Sequence, residues 1–173
     1  NQANVVIDSK DATKVTVTAD SVLDGDKIVT ISGFVDGSGE NGATTNRVVK
    51  FVKDTVAPKL VSSAVVTDTT DGAEYLEFSF DKDVKLSNAT VDVTDGSYVK
   101  DYVTTQLDDN DITAQPVEYK DSDNHKVIRV KIATLLGNKS VEGARYSLDL
   151  AFTGLSSEAD VPFTTGQATF TRG

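Results

Sequence analysis

Residues 14–54 read KVTVTADSVLDGDKIVTISGFVDGSGENGATTNRVVKFVKD, and residues 126–173 read KVIRVKIATLLGNKSVEGARYSLDLAFTGLSSEADVPFTTGQATFTRG. Both stretches run through the same series. A strand leads to a small-residue turn, then to a strand ending in Ser-Gly or Thr-Gly. An acidic hairpin loop follows, then a closing strand that carries Phe51 or Phe170. The match is one of pattern more than identity, but it holds over three consecutive strands, which marks an internal repeat.

Outward from the repeat, period-2 alternation recurs along the chain. Leu76, Phe78 and Phe80 share one face against Tyr75, Glu77 and Ser79. Ile128, Val130 and Ile132 lie opposite Arg129 and Lys131, and Tyr146, Leu148, Leu150 and Phe152 form another apolar face. In the first copy Val15 and Val17 alternate with Thr16 and Thr18, and Val49 and Phe51 face away from Lys50. Weaker strand patterns cover 4–8, 60–66, 90–94, 98–104 and 116–120. Sustained 3.6-residue periodicity is missing, and only 133–138 reads as a short helical turn. Asp/Gly/Ser/Asn clusters such as Asp24-Gly25-Asp26, Asp71-Gly72 and Asp95-Gly96 separate the strands. Short strands punctuated this often predict an all-β fold, with immunoglobulin-like Greek-key β-sandwich modules in tandem.

The two copies are preceded by unequal lengths of chain. About seventy residues lie between Pro58 and the second copy, and thirteen lie before the first. Residues 1–54 therefore read as the C-terminal part of one module. Residues 59–173 read as a complete module with a polar insertion around 97–125. Residues 55–58 form a short connector, stiffened because Pro58 lacks an N–H and holds Ala57 extended. The chain opens on Asn1 rather than Met, and we read it as a piece of a longer protein.

Composition narrows the function. With 38% hydrophobic residues, no Trp and no Met, the chain supplies thin two-sheet cores rather than a large α/β enzyme core. A net charge of −10 opposes binding to nucleic acid, whose phosphates would be repelled, and docking on anionic lipid. The lack of Cys removes disulfides and thiolate metal sites, and no apolar run approaches the length of a membrane span.

The junction Asp54-Thr55-Val56-Ala57-Pro58 resembles the D-T-x-A-P boundary between tandem bacterial Ig-like modules. Glu74–Val84 is similar to an early strand of those modules, and Ile28–Asp36 to their strand-and-loop "Y-T-V-T-I-S-G-V-x-D". Together these features resemble the S-layer proteins of Bacillus-like bacteria. That resemblance implies a secreted structural protein at the bacterial cell surface and cell wall. Its partners would be copies of itself in a surface lattice and neighbouring Ig-like modules of the same chain, and its assembly would be promoted by Ca²⁺. The cell-wall-anchoring motif of the family is not among these residues.

Ca²⁺ takes several hard oxygen ligands that converge from carboxylates and carbonyls. The candidate ligands are Asp54 at the module junction, Asp24 and Asp26 with Asp20 close by, and Asp68 with Asp71. Two further acidic groups are Asp108/Asp109/Asp111 and Asp121/Asp123. None has EF-hand spacing, and Asp also serves simply as a turn residue that bonds its own loop.

Catalytic chemistry has little support. His125 is the only histidine and lies in the polar loop Asp121–His125, without a nucleophile and orienting acid at recognisable spacing. Zinc needs more His or Cys. A paired-carboxylate glycosidase needs an aromatic-lined cleft, whereas most of the seven Phe fall on core positions. The Gly-rich 36–42 lacks the Lys-Ser/Thr of a phosphate loop and reads as a hairpin. The sequons at Asn88 and Asn138 are discounted in a bacterial protein. The expected function is thus structural and non-enzymatic: a link in a self-assembling array or stalk. The alternatives are an adhesin stalk or binding module, for which Tyr98 and Tyr102 are the candidate contacts, and an accessory module of a secreted polysaccharide-degrading enzyme.

Overall fold

The alternation at 76–80 and 128–131 is realised as sheet. In a computed structural model, which describes residues 3–108 and 112–173, the chain is all-β, with antiparallel sheets and one short helix among the described residues. It divides into two units, Asn1–Thr55 and Val56–Gly173.

The first unit holds two separate hairpins. Strand β1 (Ala3–Ile7) pairs with β2 (Val15–Ala19), and β3 (Gly25–Ile31) pairs with β4 (Thr45–Phe51). Residues directly opposite on an antiparallel pair point to one face. The registers Val5↔Val17 and Ile7↔Val15 therefore gather one apolar stripe. Val29, Ile31, Val49 and Phe51 gather another. The first stripe is uncovered, with Val5, Ile7, Val15 and Val17 all about half exposed or more; in the second, Ile31 and Val49 are exposed while Val29 and Phe51 are half-buried.

The second unit begins with β5 (Leu60–Thr67), β6 (Glu74–Phe80) and the long β7 (Val84–Lys100). Then come β8 (Val103–Asp108), β9 (Gln115–Pro116), β10 (Glu118–Asp121) and β11 (Asn124–Lys131). Helix α1 (Ile132–Leu136), a 3-10 turn, β12 (Arg145–Ser157) and β13 (Thr165–Thr171) complete it. One sheet has the order β10-β11-β6-β5, and the other β13-β12-β7-β8, with β9 on β7. Their facing apolar sides share one core. Phe78 of the first sheet meets Phe152 of the second edge to face at 5.3 Å. Leu76, Phe78, Val91, Val93, Ile128 and Tyr146 are wholly buried. Each such large side chain removed from water contributes roughly 2–3 kcal/mol.

Three local readings are refined. The 97–125 stretch, read as a polar insertion, contains the β7–β8 hairpin, β9 and most of the β10–β11 hairpin. The weak strand pattern at 98–104 is broken by a tight turn at Asp101 and Tyr102, with φ of 50° and 66°, the paired positive values of a type I′ hairpin. The helical turn near 133–138 is present as α1. It buries Ile132, Leu135 and Leu136 and stops at Gly137, whose φ is 51°.

The internal repeat extends to backbone geometry. Each residue of 33–42 corresponds to the one 121 positions later, Gly33 to Gly154 and Gly42 to Phe163. Gly33 and Gly154 both have φ of 70°. The isolated bridge Val35↔Asn41 recurs as Ser156↔Pro162. Asp36 N–H donates to Glu40 O at 2.9 Å, as Ser157 N–H does to Val161 O at 2.8 Å. Gly42 N–H donates to Phe34 O at 2.9 Å, as Phe163 N–H does to Leu155 O at 2.9 Å. Even the side-chain anchor is kept with its chemistry changed. Asp36 Oδ1 accepts from the N–H groups of Ser38 and Glu40 at 2.8 and 3.0 Å. Ser157 Oγ accepts from those of Ala159 and Val161 at 3.2 and 3.1 Å.

Candidate functional site

Period-2 alternation that sends Ile128 and Val130 inward sends Arg129 and Lys131 outward, and Tyr75 and Glu77 with them across the β11–β6 pairing. The outer face of this sheet becomes a ladder of charges. The Arg129 guanidinium lies 4.2 Å above the Tyr75 ring. It donates to Asp68 Oδ2 at 2.6 Å and to Glu118 Oε1 at 2.9 Å. Lys131 Nζ donates to Asp71 Oδ2 at 2.9 Å, and the Tyr75 hydroxyl donates to the same oxygen at 3.1 Å. Lys120 Nζ donates to Glu77 at 3.0 Å. A groove of ≈ 300 Å³ runs beside the ladder, lined in part by Tyr75, Pro116, Glu118, Arg129 and Lys131.

These partners set the electrostatics. The Lys131 ammonium, then the Ala73 N–H, hold the Asp71 carboxyl at a pKa of about 2 against an ordinary 3.8. The Thr70 N–H, then Arg129, hold Asp68 below the usual carboxylate range. Arg129 is raised in turn, chiefly by Asp68. Asp68 and Asp71 thus already face a guanidinium and an ammonium, and a cation entering there would compete with both.

Asp24 accepts the Lys53 N–H at 3.3 Å, which ties the start of β3 to the chain after β4. Asp26 lies on β3 opposite Lys50, and both are exposed. Asp20 and Asp54 are exposed as well. Asp121 ends β10, and Asp123 lies in the turn that joins it to β11. Asp109, Asp111 and the side chain of Asp108 lie outside the described residues. Among the described residues, no three or more His, Asp or Glu side chains gather closely enough to hold a metal ion.

The ring of His125 stacks on Tyr119 at 4.3 Å, and its Nε2 lies 3.1 Å from Ser122 O. The imidazole therefore braces the β10–β11 turn, half-buried against Tyr119 rather than standing free in solvent as a lone loop histidine would. Tyr98 packs on buried Tyr146, with ring centroids 5.3 Å apart. Tyr102 does the opposite: it stands fully exposed at the tip of the β7–β8 hairpin, with Val99 and Val103 exposed beside it. Sequence reading grouped the two tyrosines; the turn at Asp101-Tyr102 separates them. It missed the Arg129–Tyr75 stack, although Arg129 alternating out of an apolar strand was a signal for it. Among the described residues, no helix is long and apolar enough to cross a membrane.

Comparison with known proteins found no matching family model, no similar curated protein and no similar solved structure.

Proposed function

We propose that this chain is a non-enzymatic structural segment of a self-assembling bacterial surface protein of the S-layer kind, exported to the cell wall and built from immunoglobulin-like Greek-key modules. The observation that carries the reading is the duplicated loop, 33–42 and 154–163, with its matched bridge, hydrogen bonds and left-handed glycine. One supersecondary unit repeated along a chain is how load-bearing arrays are built.

The immunoglobulin-like part of the reading is supported by strand order. Taking β5, β6 and β7 as A, B and C, the two sheets run D-E-B-A and G-F-C-C′, the arrangement of that sandwich. Tyr146, at the start of the F-like β12, donates its hydroxyl to Lys139 O at 2.6 Å and accepts from Val141 N–H at 2.8 Å. A tyrosine at that corner bonded to upstream backbone is a feature of these sandwiches.

Ca²⁺ enters the proposal as a counter-ion between acidic surfaces of neighbouring copies, consistent with a net charge of −10. Asp68 and Asp71 already face Arg129 and Lys131, so a cation there would have to displace an ion pair. The partners are further copies and adjacent modules, with many weak contacts acting together. The test is electron microscopy and sedimentation of the chain within its parent protein, at millimolar Ca²⁺ and with chelator. Ordered sheets that dissolve in chelator are expected; particles that stay monomeric under both conditions would remove the lattice reading. A melting temperature unmoved by millimolar Ca²⁺ would remove the ion.

A second reading, a binding module, is favoured by the Tyr102–Val103 hairpin tip, where an aromatic and an aliphatic side chain are held out into solvent on a rigid turn. Loss of surface adhesion on Tyr102→Ser, with lattice formation intact, would select it.

A further inference from the structure

The first unit repeats half of the second. The β1–β2 hairpin corresponds to β10–β11: the Ile7↔Val15 pair matches Tyr119↔Ile128. The β3–β4 hairpin corresponds to β12–β13: the Gly25↔Phe51 pair matches Tyr146↔Phe170, and Ile31 matches Phe152. In the second unit, neither hairpin has both edges free. Strand β6 pairs along β11 and β7 pairs along β12. In the first unit, β2 and β3 have no such neighbour among the described residues.

The glycine of the repeated loop records the difference. At Gly154 an added Cβ would collide with the Ser87 carbonyl oxygen and lie 3.1 Å from Ala89 Cα, both on β7. At Gly33, with the same φ of 70°, an added Cβ meets nothing within 4 Å. The first unit keeps the glycine but lacks the backbone that passes over it. It also leaves apolar stripes in water on two isolated hairpins, an arrangement of marginal stability, since three or more strands are needed for a self-supporting sheet.

We propose that the first unit is a strand acceptor. Its occupant is a polypeptide stretch with the alternation of β5 to β7, joined ahead of β1 as β5 to β7 are ahead of β10. Its B-like strand pairs with β2 and its C-like strand with β3, crossing Gly33 as β7 crosses Gly154. Strand addition of this kind supplies main-chain hydrogen bonds to the open edges and apolar side chains to the exposed stripes. The proposal uses only the internal repeat and stands whether or not the chain belongs to a surface lattice.

The test joins a second copy of residues 57–114 ahead of Asn1 in the full chain and follows amide hydrogen exchange by NMR. Exchange at Val29, Ile31 and Val17 is expected to slow by ~10-fold or more relative to the unextended chain. Two variants guard the result. Val91→Asp with Val93→Asp, placed in the added copy only, is expected to abolish the protection by breaking the donor alternation. Gly33→Ala is expected to abolish it at β3 by blocking the crossing backbone. Unchanged exchange in the extended chain overturns the proposal. So does protection that survives both variants. If the unextended chain already forms a dimer with these amides protected, the occupant is a second copy and the proposal also fails.

Discussion

The loops 33–42 and 154–163 have the same bridge, the same backbone hydrogen bonds and the same left-handed glycine, yet one lies on a packed core and the other in solvent. Ser157 is 1% exposed where Asp36 is exposed, and Leu155 is 2% exposed where Phe34 is 45%. Local chain chemistry is therefore enough to specify the loop's path: a residue at φ > 0, an oxygen that caps two N–H groups, and a bridge across the neck. Burial is not specified by that chemistry. It depends on whether β6- and β7-like strands are present to cover the hairpins. The aromatic of the pair also changes place. Phe163 reaches Phe80 and Phe152 at 5.1 and 5.3 Å, whereas in the first unit the loop's aromatic is Phe34, whose ring lies over Gly42.

That contrast is most directly broken in the core. Phe78→Ala empties a wholly buried site against Phe152 and is expected to cost the second unit about 3–5 kcal/mol. Phe51→Ala, on a half-buried strand end, should cost the first unit under ~1 kcal/mol. Urea unfolding followed by residue-resolved NMR separates the two, and equal losses would mean that the first unit has a core of its own.

The matched glycines come next. Gly154→Ala adds a collision with β7 to a strained φ, for an expected loss of about 3 kcal/mol. Gly33→Ala carries the strain alone, about 1 kcal/mol. Thermal unfolding of the two variants side by side gives the difference, and its disappearance would show that β7 yields at Ser87.

The loop anchors should differ less. Ser157→Ala leaves two N–H groups without their acceptor in a buried setting and is expected to cost about 1–2 kcal/mol. Asp36→Ala returns its N–H groups to water and should cost well under half as much. Chemical denaturation with both variants checks the ratio.

On the outer ladder, a double-mutant cycle with Arg129→Met and Asp68→Asn should return a small favourable coupling, because this pair is only partly shielded from solvent. The smallest effect is that of acid. Asp71 has a folded pKa of about 2 against an ordinary 3.8. Its stabilisation is thus present above about pH 4 and is lost as pH falls through 2. Asp71→Asn is expected to flatten that part of the second unit's stability-against-pH curve. A curve unchanged by the substitution would place the acid sensitivity elsewhere.

Much of the fold was legible because period-2 alternation is a local property that a half-buried strand must show. Leu76–Phe80, Ile128–Lys131 and Tyr146–Phe152 each read correctly as one-sided strands, whereas Ile132, read as the next inward residue of the strand, opens helix α1. The turn inside 98–104 was not legible, because Asp101 and Tyr102 are not the Asn-Gly pair that announces a type I′ turn. The 97–125 stretch reads as an insertion because polar residues separate its few buried apolar ones, Leu107, Ile112 and Val117, so no sustained alternation marks its short strands. The acidic candidates were legible as residues but not as a site. Which cation faces Asp68 depends on Arg129, sixty-one positions away, and spacing along the chain does not encode that distance.

What the sequence determined is the all-β character, the repeat and the path of each repeated loop, since these follow from alternation, glycine and short-range capping. What only the tertiary structure decided is which copy of the repeat is buried, and that Asp68 and Asp71 face Arg129 and Lys131. Both depend on strands distant in the chain lying side by side, and in the second unit the register that sets those neighbours is fixed by one shared core.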